Sequence, residues 1–357
     1  MASGINKSGR KKVLVVAPSR KTRGGITAVV QAYAQTQLWN EWNCYWIETH
    51  VDRGPLHKLF YFLRSFFIYL FKLPFYRIVH IHFSEPVSAI RKTFFFLPAY
   101  LFRKKIIVHF HSFSPETTIK SKYKRLYRFL FTKADKAVVL SQFWADAVKK
   151  EFGDKINPVI IYNPSISVDA QTKDASPRTS CYVLFAGTLN ERKGFRDLIK
   201  AFALIAAQYP EWKLIFAGNG EIENGLVLSK ELNIDKQVEF LGWISGSRKE
   251  EVFTHASVFC LPSYAEGFPM AILDAMSYSI AVVSTPVGGI TDVFADGVHL
   301  FIFPPGDIVA LKDRLKALID DKTVRDKLAK NGNELVKTEF SLKRIAEKVD
   351  NLYQSLL

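Results

Sequence analysis

Two carboxylates, Glu266 and Asp274, are separated by seven residues in the stretch 261–289, LPSYAEGFPMAILDAMSYSIAVVSTPVGG. An apolar run at 258–261 ends in Pro262 and Ser263, a loop carries Glu266 and Gly267, and Pro269 marks the start of a helix. Gly267, Phe268, Pro269 and Met270 therefore open a helix whose free N–H groups make a ready anion site. Carboxylates beside such a site suit sugar or ribose hydroxyls, which donate hydrogen bonds to them. Taken alone, the pair reads as a surface loop residue and a solvated helix residue.

A second group of chemically capable residues precedes it. The loop GTLNERKG ends in Arg192, Lys193 and Gly194 just before a helix, a pattern that can clamp a diphosphate. Asn219 lies in the turn Gly218-Asn219-Gly220, and Trp243 follows Gly242 after the next strand. In a parallel sheet all these strand-end loops converge on one crevice. Earlier in the chain, Gly24 and Gly25 sit at a strand-to-helix turn where backbone can approach a phosphate, or where a turn needs positive φ. His82, His109 and His111 lie at or near strand ends, and His111, before the loop SFSPE, is best placed for a site. No carboxylate or cysteine stands at a helpful spacing from these histidines, so no metal is expected. Neither GxGxxG nor GxxxxGK[ST] occurs, which removes the dinucleotide and P-loop readings.

The elements that must hold these residues alternate. Strand and helix follow each other through both halves, with apolar strands, which means two Rossmann-like, doubly wound parallel α/β domains facing across a cleft. Residues 1–164 form the first domain and 181–340 the second; the polar, aperiodic 165–180 is the linker. A C-terminal helix over 341–357 is free to pack back on the first domain. Within the first half, helices are expected from about Ile26 to Gln37 and from Ala89 to Phe102, the latter kinked or shortened by Pro98.

Charge is distributed unevenly. Residues 1–170 hold 27 Lys+Arg against 10 Asp+Glu, and the remainder 22 against 24, so the net +15 is +17 from the first part and −2 from the second. Such a balance points the first half at nucleic acid or at the cytoplasmic leaflet of a membrane. Residues 56–77 are rich in aromatics, but Lys58, Arg64 and Lys72 leave no uncharged run long enough to span a bilayer. Those charges fall with Ser65 in an arc of roughly 120°, as in a helix buried on most sides or lying in a membrane interface; by itself the segment reads as core. Lys120, Lys124 and Arg128 at i, i+4 spacing, interleaved with Tyr123, Tyr127, Phe129 and Phe131, form a basic aromatic helix. Three such segments in one half together favour peripheral membrane contact over nucleic acid. Three widely spaced cysteines suit a reducing compartment, and the N-terminal apolar run is too short for a signal peptide, so a cytoplasmic location is expected.

Taken together, FAGTLNERKGFRDLIKAF, WKLIFAGNG, PSYAEGFPMAILDAM, the GGI at Gly24, VHIHFS and VHFHSF resemble the GT-B retaining glycosyltransferases of family 4. The resemblance implies a nucleotide-sugar donor of UDP or GDP type and no metal or other cofactor, and the basic, aromatic first half suggests a glycan or polyprenyl-diphosphate-linked acceptor in bacterial surface polysaccharide synthesis. It implies that Arg192 and Lys193 neutralise the diphosphate, with Gly25 closing over it. Glu266 would hold the transferred sugar, Asp274 the ribose, the loop 242–245 would border the base, and His111 would face the anomeric centre. His111, Glu266 and Lys193 are the implied catalytic residues. The chain departs from the family pattern at Asp274, where glutamate is usual, and at Thr188, where many members carry a cation. Ser279 and Asp292 stand where glycine and glutamate are common. Two other functions fit the sequence: a sugar-nucleotide epimerase of the same architecture, and a nucleic-acid-binding protein using the basic half.

Overall fold

The computed structural model describes residues 11–52, 54–165 and 181–357. The chain divides into two units, 1–164 with 342–357, and 165–341. Apart from Ser165, the expected linker lies outside the described residues.

The first unit runs β1 (Val13–Ala17), α1 (Gly25–Ala34), α2 (Gln37–Glu41), β2 (Tyr45–Glu48), α3 (Pro55–Lys72), β3 (Ile78–Phe83), α4 (Pro86–Leu101), β4 (Lys105–Phe110), α5 (Lys124–Lys133), β5 (Lys136–Val139), α6 (Gln142–Phe152) and β6 (Val159–Ile160). The strands are short and apolar, and they pair in parallel in the order β2-β1-β3-β4-β5-β6. Buried on both faces, they read as continuous hydrophobic runs. Order reverses between β1 and β3, so the loops leaving those strands flank the position where doubly wound sheets take ligands.

The second unit runs β7 (Tyr182–Ala186), α7 (Phe195–Ala203), β8 (Lys213–Ala217), α8 (Ile222–Glu231), β9 (Val238–Gly242), α9 (Gly246–His255), β10 (Val258–Leu261), α10 (Met270–Ser277), β11 (Ala281–Ser284), β12 (Phe301–Ile302), α11 (Ile308–Asp320) and α12 (Lys322–Glu339). Its sheet is again parallel, in the order β12-β11-β10-β7-β8-β9. Here the reversal lies between β7 and β10. Both sheets bear out the expected pair of Rossmann-like folds. The last helix, α13 (Leu342–Gln354), belongs to the first unit, where Tyr353 meets Trp42 edge-on at 5.2 Å and Asp350 accepts from the Trp42 indole at 2.6 Å.

Several local expectations are corrected. The first helix ends at Ala34 rather than Gln37. Pro98 does not shorten α4, which runs to Leu101. The proline lies in the last turn, and the carbonyl it leaves unbonded is that of the exposed Phe94. The basic row loses its first member, because α5 starts at Lys124 while Lys120 lies in the preceding turn, paired with Glu116. Pro269 is the cap of α10, with Met270 its first helical residue.

The largest difference concerns α3, which turns Ser65 inward with Tyr69 while Lys58 and Arg64 remain exposed. The Ser65 hydroxyl donates to the Glu48 carbonyl and the Tyr61 hydroxyl to the Glu48 carboxylate, while Ser65 and Tyr69 are the buried positions. Leu56 (83 % exposed), Phe60 (68 %), Phe67 (67 %) and Phe71 (76 %) stand open. On α4 the same holds for Val87, Ile90, Phe94, Leu97 and Leu101 at three- and four-residue spacing. Phe62 joins the two helices, edge-on to Phe94 at 5.6 Å and to Phe95 at 5.7 Å. No helix among the described residues is long and apolar enough to cross a membrane.

Candidate functional site

In the second unit, Arg192, Lys193 and Glu266 gather at the β7/β10 reversal. The loop after β7 folds into a single 3-10 turn, Glu191–Lys193, capped by the Asn190 side chain, which accepts from the Lys193 N–H at 3.1 Å. Gly194 follows at φ +66°, and a Cβ there would sit 2.0 Å from the Pro262 carbonyl oxygen. Only glycine allows this approach. It brings Lys193 against the loop after β10: Nζ donates to Glu266 Oε1 at 2.5 Å, and the Ser263 hydroxyl donates to the same oxygen at 2.6 Å. Arg192 lies 3.7 Å from Glu266 Oε2 and donates to the Ala265 carbonyl at 2.7 Å. On the other side Gly288, at φ +62°, passes close to the Glu266 carbonyl, and the Gly289 N–H donates to the Gly267 carbonyl at 3.0 Å. Glu266 is 5 % exposed. A buried carboxylate between two cations is held rigid, with both cations close enough to face a further anion.

Other predicted residues have more structural surroundings. The Phe268 side chain is buried and stacks on Phe294 and Phe340 at 6.0 and 5.4 Å, so its side chain turns into the core, leaving its backbone for the helix start. Pro269 and Met270 open α10, and among the described residues no side chain caps that helix. Asn219 ties down the next loop, its Oδ1 accepting from the Trp243 N–H at 2.9 Å; the Trp243 ring is exposed. Asp274 stands apart from the Glu266 group, bonded instead to Lys249 of α9, Nζ to Oδ2 at 2.6 Å.

In the first unit, Gly24 caps α1 at φ 149° with open space around its α-carbon, and Gly25 is the first helical residue. Thus the β1 turn presents bare backbone at the β1/β3 reversal. His82, His109 and His111 join His80, which sequence reasoning did not single out. The parallel register of β3 and β4 sets His82 opposite His109. His80 donates or accepts at both ring nitrogens, Nδ1 with the Tyr353 hydroxyl at 2.8 Å and Nε2 with His109 Nδ1 at 3.2 Å; His82 Nδ1 meets His111 Nε2 at 3.0 Å. Burial pushes the His80 and His111 rings down to about 3 and holds His82 and His109 well below the usual imidazole range, so all four are neutral at pH 7.

Ring nitrogens of His80, His82 and His109 lie within 4.8 Å of one another, near enough to raise a metal site. His80 and His109 are almost parallel (4°) and share a hydrogen bond between ring nitrogens, while the His82 ring lies at 30° to each, 4.3 and 4.8 Å between centroids.

Sequence reasoning also missed Ser263, Lys249, Lys92 and Tyr353. Ser263 had a signal, three residues before Glu266 in a strand-end loop. Lys92, 1 % exposed, donates only to the Thr49 hydroxyl and has no carboxylate partner among the described residues. Nothing in its helical spacing marked it.

Two family models match, one per unit: "Glycosyltransferase Family 4" over residues 12–165 and "Glycosyl transferases group 1" over 169–335. The chain is 27 % identical to the capsular polysaccharide biosynthesis glycosyltransferase CapM of Staphylococcus aureus over 173 residues, 48 % of this chain and 46 % of that protein. It is 26 % identical to a phosphatidyl-myo-inositol mannosyltransferase of Mycobacterium tuberculosis over 189 residues, 51 % of this chain and 49 % of that one. The chain thus spans about half the length of these curated relatives. Among solved structures, Anabaena HepE in complex with UDP is similar with a TM-score of 0.77 at 18 % identity, covering 96 % of this chain and all of that one.

Proposed function

Because its two units match these two models, the chain belongs to the GT-B glycosyltransferases of the family 4 kind, and on that footing we propose that it transfers a sugar, with retention, from a nucleoside-diphosphate donor to a glycan or lipid-linked acceptor. The observation that carries this reading is the Lys193–Glu266–Arg192 group at the sheet reversal, two cations and a buried carboxylate fixed by Ser263. Arg192 and Lys193 take the diphosphate; Glu266 accepts from the hydroxyls of the sugar. The bond from the sugar C1 to the phosphate oxygen breaks, the acceptor oxygen bonds to C1, and the acceptor proton passes to the leaving phosphate. Stabilising that leaving charge is the main catalytic contribution, and two fixed cations supply it without calling on a metal. A neutral His111 offers substrate a ring nitrogen rather than a charge. HepE was solved with UDP, and this supports a nucleoside diphosphate as the donor's leaving group.

The acceptor belongs, in this reading, to the basic first unit, which rests peripherally on an anionic bilayer through the open apolar faces of α3 and α4. CapM, in capsule biosynthesis, and the inositol-lipid mannosyltransferase support surface-glycan or lipid-linked acceptors. Thermal unfolding against a panel of UDP-, GDP- and ADP-sugars tests the donor claim: one class raises the melting temperature, since a ligand of the folded state alone stabilises it. A panel in which none does so overturns it.

A further inference from the structure

Where α3 and α4 end, the first unit has a cleft of about 370 Å3 that takes no part in the site described above. Arg77, Arg103, Lys104 and Lys105 line it together with Phe75 and Phe102, and none of the lining residues is acidic. β3 opens at Ile78 and β4 at Lys105, paired in register, so the cleft lies at the starting ends of the strands, away from the crevice at their closing ends. Three of the cations are partly engaged. Arg77 donates to the Leu357 main-chain oxygen at 2.8 Å, Lys104 donates to the Pro74 carbonyl at 3.0 Å, and Lys105 pairs with Asp135 at 2.8 Å. The exposed Arg103 guanidinium has no partner among the described residues.

Arg103 is also held in a backbone conformation that suits another residue. α4 closes with the Arg103 N–H donating to the Tyr100 carbonyl at 3.0 Å and the Lys104 N–H to the Ala99 carbonyl at 2.9 Å, which sets Arg103 at φ +51°. Glycine is usual at that left-handed position because a side chain strains it. The fold recovers nothing for this strain, and the guanidinium stays available to a ligand. The rim of the cleft is apolar and open. Phe71 and Phe75, with ring centres 6.3 Å apart, carry the exposed face of α3 to it, and the exposed Leu101 and Phe102 do the same for α4.

We propose that this cleft is a headgroup site for an anionic glycerophospholipid: Arg103 and Arg77 hold the phosphate, Lys104 and Lys105 add charge, and Phe75 and Phe102 enter the acyl boundary beside it. The inference rests on the peripheral membrane contact proposed above and adds to it a built site with a ligand class. A guanidinium fork matches phosphate oxygens in pairs, and an anionic leaflet attracts every cation near its surface. A free phosphate offers the same charge but gains nothing from the exposed rings, so the occupant is the lipid of a bilayer.

The test is co-flotation with vesicles of phosphatidylcholine, alone or with added phosphatidylglycerol, for wild type, Arg103→Gly, Arg103→Asn and Lys58→Gln, with the melting temperature of each. Lys58 is exposed at the other end of α3, so its loss removes an equal charge without touching the cleft. Both Arg103 variants suit left-handed backbone and should melt no lower than wild type. They should bind phosphatidylglycerol vesicles at least tenfold more weakly, as for a lost hydrogen bond to a charged group, with no change on phosphatidylcholine alone. Lys58→Gln should lose about fivefold at most, the effect of one diffuse surface charge. Unchanged binding by the Arg103 variants, losses equal to that of Lys58→Gln, or a lower melting temperature in both overturns the headgroup site while the membrane contact stands. Glycerol 3-phosphate that binds wild type as tightly as soluble dihexanoyl-phosphatidylglycerol in calorimetry assigns the cleft to a free phosphate and overturns it too. Wild type that floats with neither vesicle overturns the membrane contact and the site with it.

Discussion

Lys193 and Glu266 are bonded to each other, Nζ to Oε1 at 2.5 Å, from loops that leave two adjacent strands of one sheet. In the proposed function the same ammonium would meet the leaving phosphate while holding the carboxylate proposed to orient the sugar. Lys193→Ala should lower kcat/KM by the equivalent of about 2–4 kcal/mol, the usual cost of removing a donor from developing negative charge. Steady-state kinetics with the donor identified by thermal shift measures it; an unchanged rate means Lys193 is not part of the clamp.

Gly194 controls whether that bond can form. With φ +66° and the Pro262 carbonyl 2.0 Å from where a Cβ would stand, Gly194→Ala must move backbone. We expect a loss of about 2–3 kcal/mol in urea unfolding, from strain and overpacking together, along with weakened nucleotide binding. Stability equal to wild type would show that the loop relaxes freely.

The four neutral histidines make the first unit acid-sensitive. Their folded values lie below that of an unfolded histidine near 6.5, so below that pH the unfolded chain binds protons that the folded chain does not. Stability is present above pH 6.5 and is lost as pH falls towards about 3, where His80 and His111 titrate in the fold. Each such group contributes a slope of about 1.4 kcal/mol per pH unit in that window. Urea titrations from pH 7.5 to 5 should show the loss, and His82→Asn should make it shallower. A stability independent of pH over that range contradicts neutral burial.

Lys92 is a charge-capable group placed where charge is costly. Burial lowers its affinity for a proton well below the usual lysine range, with Arg91 adding to the effect. Lys92→Met keeps the volume and leaves the Thr49 hydroxyl donating to Ala17 at 3.1 Å. The variant should therefore be more stable than wild type by about 1–3 kcal/mol. Destabilisation would mean that the bond to Thr49 outweighs desolvation.

Changing Phe60, Phe67 and Phe71 together to serine should abolish co-flotation with anionic liposomes at low salt while leaving the melting temperature close to wild type, because all three side chains are largely in solvent. A large drop in melting temperature would instead assign these rings to the fold.

The alternating strands and their terminal loops were legible because buried parallel strands are short apolar runs and their ends carry glycine. That logic puts Lys193, Arg192 and Glu266 in loops at the ends of two strands, and the fold brings the three side chains together. It failed on α3. A periodic pattern does not say which face the sheet takes, and Glu48 draws in Ser65 and Tyr61, leaving Phe60, Phe67 and Phe71 outside. Lys249 was equally invisible, since its bond to Asp274 joins α9 to a helix one strand later. Local spacing reports neighbours on one element, whereas these contacts depend on how elements pack.

The placement of α13 has a consequence for how the protein is made. Tyr353, which bonds His80, is 273 residues downstream of it. At about 5–20 residues per second of translation, that interval is roughly 14–55 s. Until Tyr353 is made, His80 lacks that hydroxyl partner, while the whole second unit emerges and is free to fold first. The half that begins the chain is thus the last to be finished, and a chaperone holding nascent chains would meet the first unit, not the second, in its incomplete form.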